Sequence, residues 1–151
     1  MRERERFKFA RVAQFDRSLV GAFARHLALA LARMQQQLDS ALLAASMRGA
    51  LSELQALLER RADANIQGMT GNTPLHLAAI NGHALCIDRL AERRADVNAT
   101  NVLHATPLHL AAINGHRSCI ERLLARGADR SIRNVRGAGD TSIIGGTCDD
   151  D

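Results

Sequence analysis

Six histidines and three cysteines are the side chains in this 151-residue sequence best suited to chemistry. Grouped, they would hold a tetrahedral metal ion; paired, two of the thiols would form a disulfide. Their spacing argues against both. His76 and His109, His83 and His116, and Cys86 and Cys119 are each separated by 33 residues. One offset shared by three pairs marks a repeated structural unit. The members of a pair then occupy equivalent places on neighbouring helices about 8–10 Å apart. That is too far for one ion or one disulfide bond. These residues therefore read as capping histidines and small buried thiols, and neither a metal nor a cofactor is expected. Cys148, near the end of the sequence, is expected to be the exposed thiol.

Other catalytic arrangements are missing from the sequence. It contains no GxSxG, no HExxH, no Cys-x-x-Cys and no glycine-rich loop between a strand and a helix. Gly137-Ala138-Gly139 follows no strand pattern and reads as a plain loop. The chain is expected to be non-catalytic.

The elements that carry these side chains follow from the repeat. Thr73-Pro74-Leu75-His76-Leu77-Ala78-Ala79-Ile80-Asn81-Gly82-His83 recurs unchanged from Thr106 to His116. Thr73 and Thr106 sit where a helix needs an N-cap, and Pro74 and Pro107 take the first helical position, where a missing N–H costs nothing. His76 and His109 stand three residues after the cap, within reach of a reciprocal capping bond. Gly82 and Gly115 supply a left-handed exit after two turns. A second helix follows, with Ile87, Leu90 and Ala91 inward in one copy and Ile120, Leu123 and Leu124 inward in the next. A weaker copy begins at Ser40, and Asp140-Thr141-Ser142-Ile143-Ile144 resembles the opening of a fourth that runs into Gly145-Gly146. This leaves a C-terminal end expected to be marginally stable, or a sequence cut short of its natural cap.

The 33-residue period, the two TPLHLAA…GH blocks and the Ala-Asp-x-Asn ends resemble the ankyrin-repeat family over residues 39–137. The resemblance implies an all-α solenoid of three helix-turn-helix repeats, over 39–71, 72–104 and 105–137. A basic amphipathic helix precedes them over 1–38, and a degenerate partial repeat with an acidic tail follows over 138–151. One departure concerns the end of each second helix, where the family carries Gly. Gly127 fits, but Arg61 and Arg94 stand in the earlier copies, and a left-handed backbone there would strain each by roughly 1 kcal/mol.

Residues 1–33 hold eight basic groups against three acidic ones, whereas the remaining residues hold 12 basic and 13 acidic groups. The net charge of +4 thus belongs to one segment. Within it Val12, Phe15, Leu19, Phe23, Leu27, Leu31, Met34 and Leu38 form one apolar stripe on a helix. Asp39 and Ser40 look like the start of the first repeat helix. Several roles stay open for the stripe. It can cap the first repeat, dock on a partner or a second copy, or lie on a membrane or address an organelle. Glu3, Glu5 and Asp16 speak against a transit peptide. Nucleic acid is disfavoured, because the Arg cluster lacks interleaved aromatics. Three cysteines make no disulfide framework, which favours a reducing, intracellular and chiefly cytoplasmic setting.

Family resemblance implies a protein partner lying across the concave side, with the chain itself monomeric. Turn tips map to Ile66–Asn72, Ala99–Ala105 and Ile132–Arg136, and the variable first-helix positions to Met47-Arg48, Ile80-Asn81 and Ile113-Asn114. Met69, Ile80, Val102, Leu103 and Ile113 would form an apolar strip. Arg48, His104, Arg133 and Arg136 would flank it, with Asn72, Asn81 and Asn114 alongside. Such a surface suits a partner with acidic flanks. The expected role is an interaction module or adaptor. The alternatives are a localisation or membrane-associated factor using the N-terminal helix, and a regulatory subunit that masks a partner's active site.

Overall fold

A computed structural model describes the backbone of residues 2–135 and the side chains of residues 19–135. The partial fourth repeat, the acidic tail, Arg136 and Cys148 lie outside them. Among the described residues there are six helices: α1 (Arg2–Arg48), α2 (Leu51–Glu59), α3 (Pro74–Ile80), α4 (Ala84–Glu92), α5 (Pro107–Ile113) and α6 (Arg117–Ala125). The chain forms two compact units, Met1–Gln37 and Leu38–Asp151.

In the first unit, α1 carries Leu19, Phe23, Leu27, Leu31 and Met34 exposed along its described part. The expected helix start at Asp39–Ser40 is not found, because α1 runs through both residues to Arg48. Gln35, Gln36, Gln37 and Leu38 are good helix formers, and nothing in their backbone chemistry interrupts the hydrogen-bonded ladder. Asp39 is buried and serves a distant group instead: its Oδ1 accepts from the Asp63 N–H at 2.9 Å.

The second unit is built by repetition. Helix α3 pairs with α4 and α5 with α6, while Leu42 and Ala45 at the end of α1 share a core with Leu54 and Leu57 of α2. The first helices α3 and α5 stack on one another, and so do the second helices α4 and α6. Leu42, Ala45, Leu54, Leu57, Leu75, Ala78, Ile87, Leu90, Leu108, Ala111, Cys119 and Leu123 are buried in one continuous core. Alanines at 45, 78 and 111 leave the small gap that closely stacked helices need.

Helix ends follow the local chemistry of the sequence. Thr73 accepts from His76 N–H while the Thr73 N–H donates to His76 Nδ1 at 3.2 Å, a closed capping box. Thr106 and His109 repeat it. Gly49, Gly82 and Gly115 end the first helices at φ between 71° and 78°. The following N–H then reaches back five residues, as His83 does to Ala78 at 2.9 Å. Arg61 (φ 64°), Arg94 (φ 63°) and Gly127 (φ 88°) do the same for the second helices, so both arginines are left-handed. His104 is a third such residue (φ 52°), where Gly71 stands one repeat earlier.

Of the expected inward residues, Ile87, Leu90 and Leu123 are fully buried. Ala91, Ile120 and Leu124 are only half-buried. Among the described residues no helix is long and apolar enough to cross a membrane.

Candidate protein-binding face

The turn tips are fastened to one another by the backbone. Val102 N–H donates to Thr70 C=O at 3.3 Å, and 33 residues on Val135 N–H donates to Leu103 C=O at 3.2 Å. Asn101 reinforces the joint. Its amide donates to Asn72 Oδ1 at 2.9 Å, and its own Oδ1 accepts from Leu103 and Ala105 N–H. Because each tip rests on its neighbour, the side chains projecting from the tips keep a fixed spacing.

Behind the tips, the first helices are held in register by two histidines. His83 Nε2 lies 3.1 Å from Met47 C=O, and His116 Nε2 lies 2.9 Å from Ile80 C=O. Each ring covers the glycine that ends the preceding first helix. A Cβ on Gly82 would stand 2.8 Å from the His116 ring. His76 links further, with Nε2 2.9 Å from Ala105 C=O. Its Nδ1 accepts a backbone N–H and its Nε2 faces a carbonyl, so the neutral Nε2–H tautomer satisfies both. Burial lowers its pKa, against the opposing hydrogen bond to Ala105. On the opposite edge Asn65 accepts from Asp96 N–H and donates to Arg94 C=O, and Asn98 accepts from Asp129 N–H.

On this frame the structure brings Leu103 and Ile113 together with Ala105, Leu110, Asn134 and Val135 around a hollow of about 290 Å³. Ile113 is 62% exposed there, Leu103 59% and Val135 64%. Leu110 was not among the residues expected from sequence, and Val135 was expected only as part of the third turn tip and not in the apolar strip. A period-33 comparison with Leu77 and Val102 is the signal that could have found them. Val102, Met69 and Met47 are exposed, whereas Ile80 is half-buried.

The polar candidates divide. Asn81 and Asn114 fold back on Leu77 and Leu110 carbonyls at 2.9 and 2.7 Å, closing their own helices. Asn72 is held by Thr70 and Asn101. Arg48 pairs with Glu53 at 2.9 Å, which offsets its charge. His104 and Arg133 are exposed.

No group of three His, Cys, Asp or Glu that could hold a metal ion occurs among the described residues. Cys86 and Cys119 are free and buried. Burial raises both thiol pKa values, that of Cys119 to about 11 with Cys86 adding to the shift.

A family model of ankyrin repeats, in three copies, matches residues 24–134. Among curated proteins, the chain is 46% identical over 54 residues to oxysterol-binding protein-related protein 1 of Homo sapiens. That match covers 34% of this chain and 6% of the human protein, so the chain spans a small fraction of that relative.

Proposed function

Since this chain belongs to the ankyrin-repeat family, whose repeats are in general protein–protein interaction modules, we propose that it binds a partner protein through the face formed by its turn tips and first helices. The observation that carries this reading is the hollow bounded by Leu103, Leu110, Ile113 and Val135. It is apolar and open to solvent, and its two tips are tied together by the Val135 N–H to Leu103 C=O hydrogen bond. Binding of this kind uses surface complementarity and no chemistry of the chain's own. Arg133, exposed on the same turn tip as Asn134 and Val135, favours acidic groups around the partner's apolar anchor.

Capture from a native cell extract with the full chain tests the reading. Ile113→Glu and Leu103→Glu place a charge in the hollow, while Leu85→Glu alters an exposed leucine on α4. A partner retained by the unaltered chain and by Leu85→Glu, but lost by the first two variants, is the expected outcome. Retention by all four baits would move recognition to another surface.

A further inference from the structure

Between Asp16 and Asp39 the sequence carries three arginines and no acidic residue. Over the described part of this stretch α1 is one uninterrupted helix. At 100° per residue, Leu19, Val20, Phe23, Leu27, Leu31 and Met34 fall within an arc of about 120°. All six are more than half exposed, Phe23 at 72%. Between Leu19 and Met34 that arc holds no residue with a hydrogen-bonding side chain. Arg33 and His26 border one edge of it, and Arg25 lies on the opposite pole.

We propose that this N-terminal helix lies on an anionic lipid surface, with the Leu19–Met34 face among the acyl chains and the arginines toward the headgroups. Charge selects the occupant. A second copy packed on this face would bring basic side chains such as Arg33 to the seam, with no carboxylate between residues 17 and 38 to compensate them. An anionic bilayer supplies negative charge along the whole length of the helix. The absence of donors and acceptors on the arc also distinguishes the two surfaces: protein interfaces carry directed hydrogen bonds, whereas hydrocarbon asks for none. A broad apolar face with basic residues beside and behind it is the arrangement that settles at the headgroup boundary. No crossing of the bilayer is involved, in keeping with the lack, among the described residues, of a helix long and apolar enough to cross a membrane. The inference concerns the first unit and is independent of the protein-binding face.

Flotation of the full chain with phosphatidylcholine vesicles, with and without phosphatidylserine, tests it. The chain is expected to float with the anionic vesicles and to bind neutral ones at least about tenfold more weakly. Raising the salt to about 0.5 M should release much of the bound protein, as screening predicts. Phe23→Glu and Leu27→Glu should abolish binding, and Arg33→Gln should weaken it about fivefold. All three positions are exposed, and circular dichroism of each variant confirms that the helix is retained. Absence of flotation with anionic vesicles would overturn the proposal. So would equal binding to neutral vesicles, or binding that survives Phe23→Glu. A dimer in sedimentation velocity that Phe23→Glu dissolves, with no flotation by the unaltered chain, would reassign the face to a second copy.

Discussion

Arg61 and Arg94 end α2 and α4 in a backbone conformation that a Cβ disfavours, and each persists because the next N–H closes the helix end. Ala62 N–H reaches Leu57 C=O at 3.1 Å, and Ala95 N–H reaches Leu90 C=O at 3.0 Å. The strain is steric, so removing the charge alone should not relieve it. Arg94→Gly is expected to be more stable than Arg94→Ala by about 1 kcal/mol in urea unfolding, the reverse of the usual order of these residues at a helix interior. Equal stabilities would mean that the left-handed turn carries no strain. At His76 the determining quantity is burial. The folded ring has a lowered pKa, whereas the unfolded chain keeps an ordinary imidazole near 6.5 and binds the proton more readily. Stability from this group is complete above that pH and falls as the pH drops below it, until the buried ring is itself protonated. A urea midpoint that does not decline between pH of about 7 and 5.5 would contradict a neutral buried His76. The thiols follow the same logic. With Cys119 raised to about 11, the buried thiols should resist alkylation near neutral pH in the folded chain and react readily in denaturant.

At the scale of elements, two residues with identical neighbours in sequence have different surroundings. Gly82 and Gly115 each follow Ile-Asn, precede His and adopt φ near 75°. Added Cβ atoms meet the His116 ring at Gly82 and no described residue within 4 Å at Gly115. Gly115→Ala should therefore cost only the backbone penalty of about 1 kcal/mol. Gly82→Ala should cost about 2–3 kcal/mol, since His116 must also leave the Ile80 carbonyl. Equal losses would show that the histidine does not hold the repeats together. Legibility in the sequence divides along this line. The caps at Thr73 and Thr106 and the glycine exits were readable because each is set by chemistry within a few residues, and the left-handed arginines only through the family resemblance, which places Gly where Arg61 and Arg94 stand. The role of His116 over Gly82 was not, because 34 positions separate the partners in sequence. Nor was the continuity of α1 through Asp39. An acidic residue before Ser reads as a helix start by local rules, and only its bond to Asp63 shows what it does.

For the whole molecule, stacking makes one position mean different things in successive repeats. This also limited what the sequence showed of the binding face. Ile80 and Ile113 are the same residue of the same block, yet one is half-buried and the other open. The asymmetry extends into the core. Ile87 is fully buried on α4, which packs against both α2 and α6, while Ile120, its equivalent on α6, is half-buried. In a stack where each repeat is stabilised by its neighbours, removing a side chain costs according to how many neighbours it touches. Ile87→Ala should cost about 3–4 kcal/mol and Ile120→Ala about half of that in urea unfolding. Ion pairs on the outer side modify the picture without reversing it. Arg122 on α6 and Arg126 at its C-cap reach Asp88 on α4, and each of these partly exposed pairs contributes little. Amide hydrogen exchange reads the same gradient element by element, and α4 should retain its protons longer than α6. If α6 exchanges as slowly as α4, and Ile120→Ala costs as much as Ile87→Ala, the third repeat is as fully supported as the second. The half-burial of Ile120 would then not measure the strength of its packing.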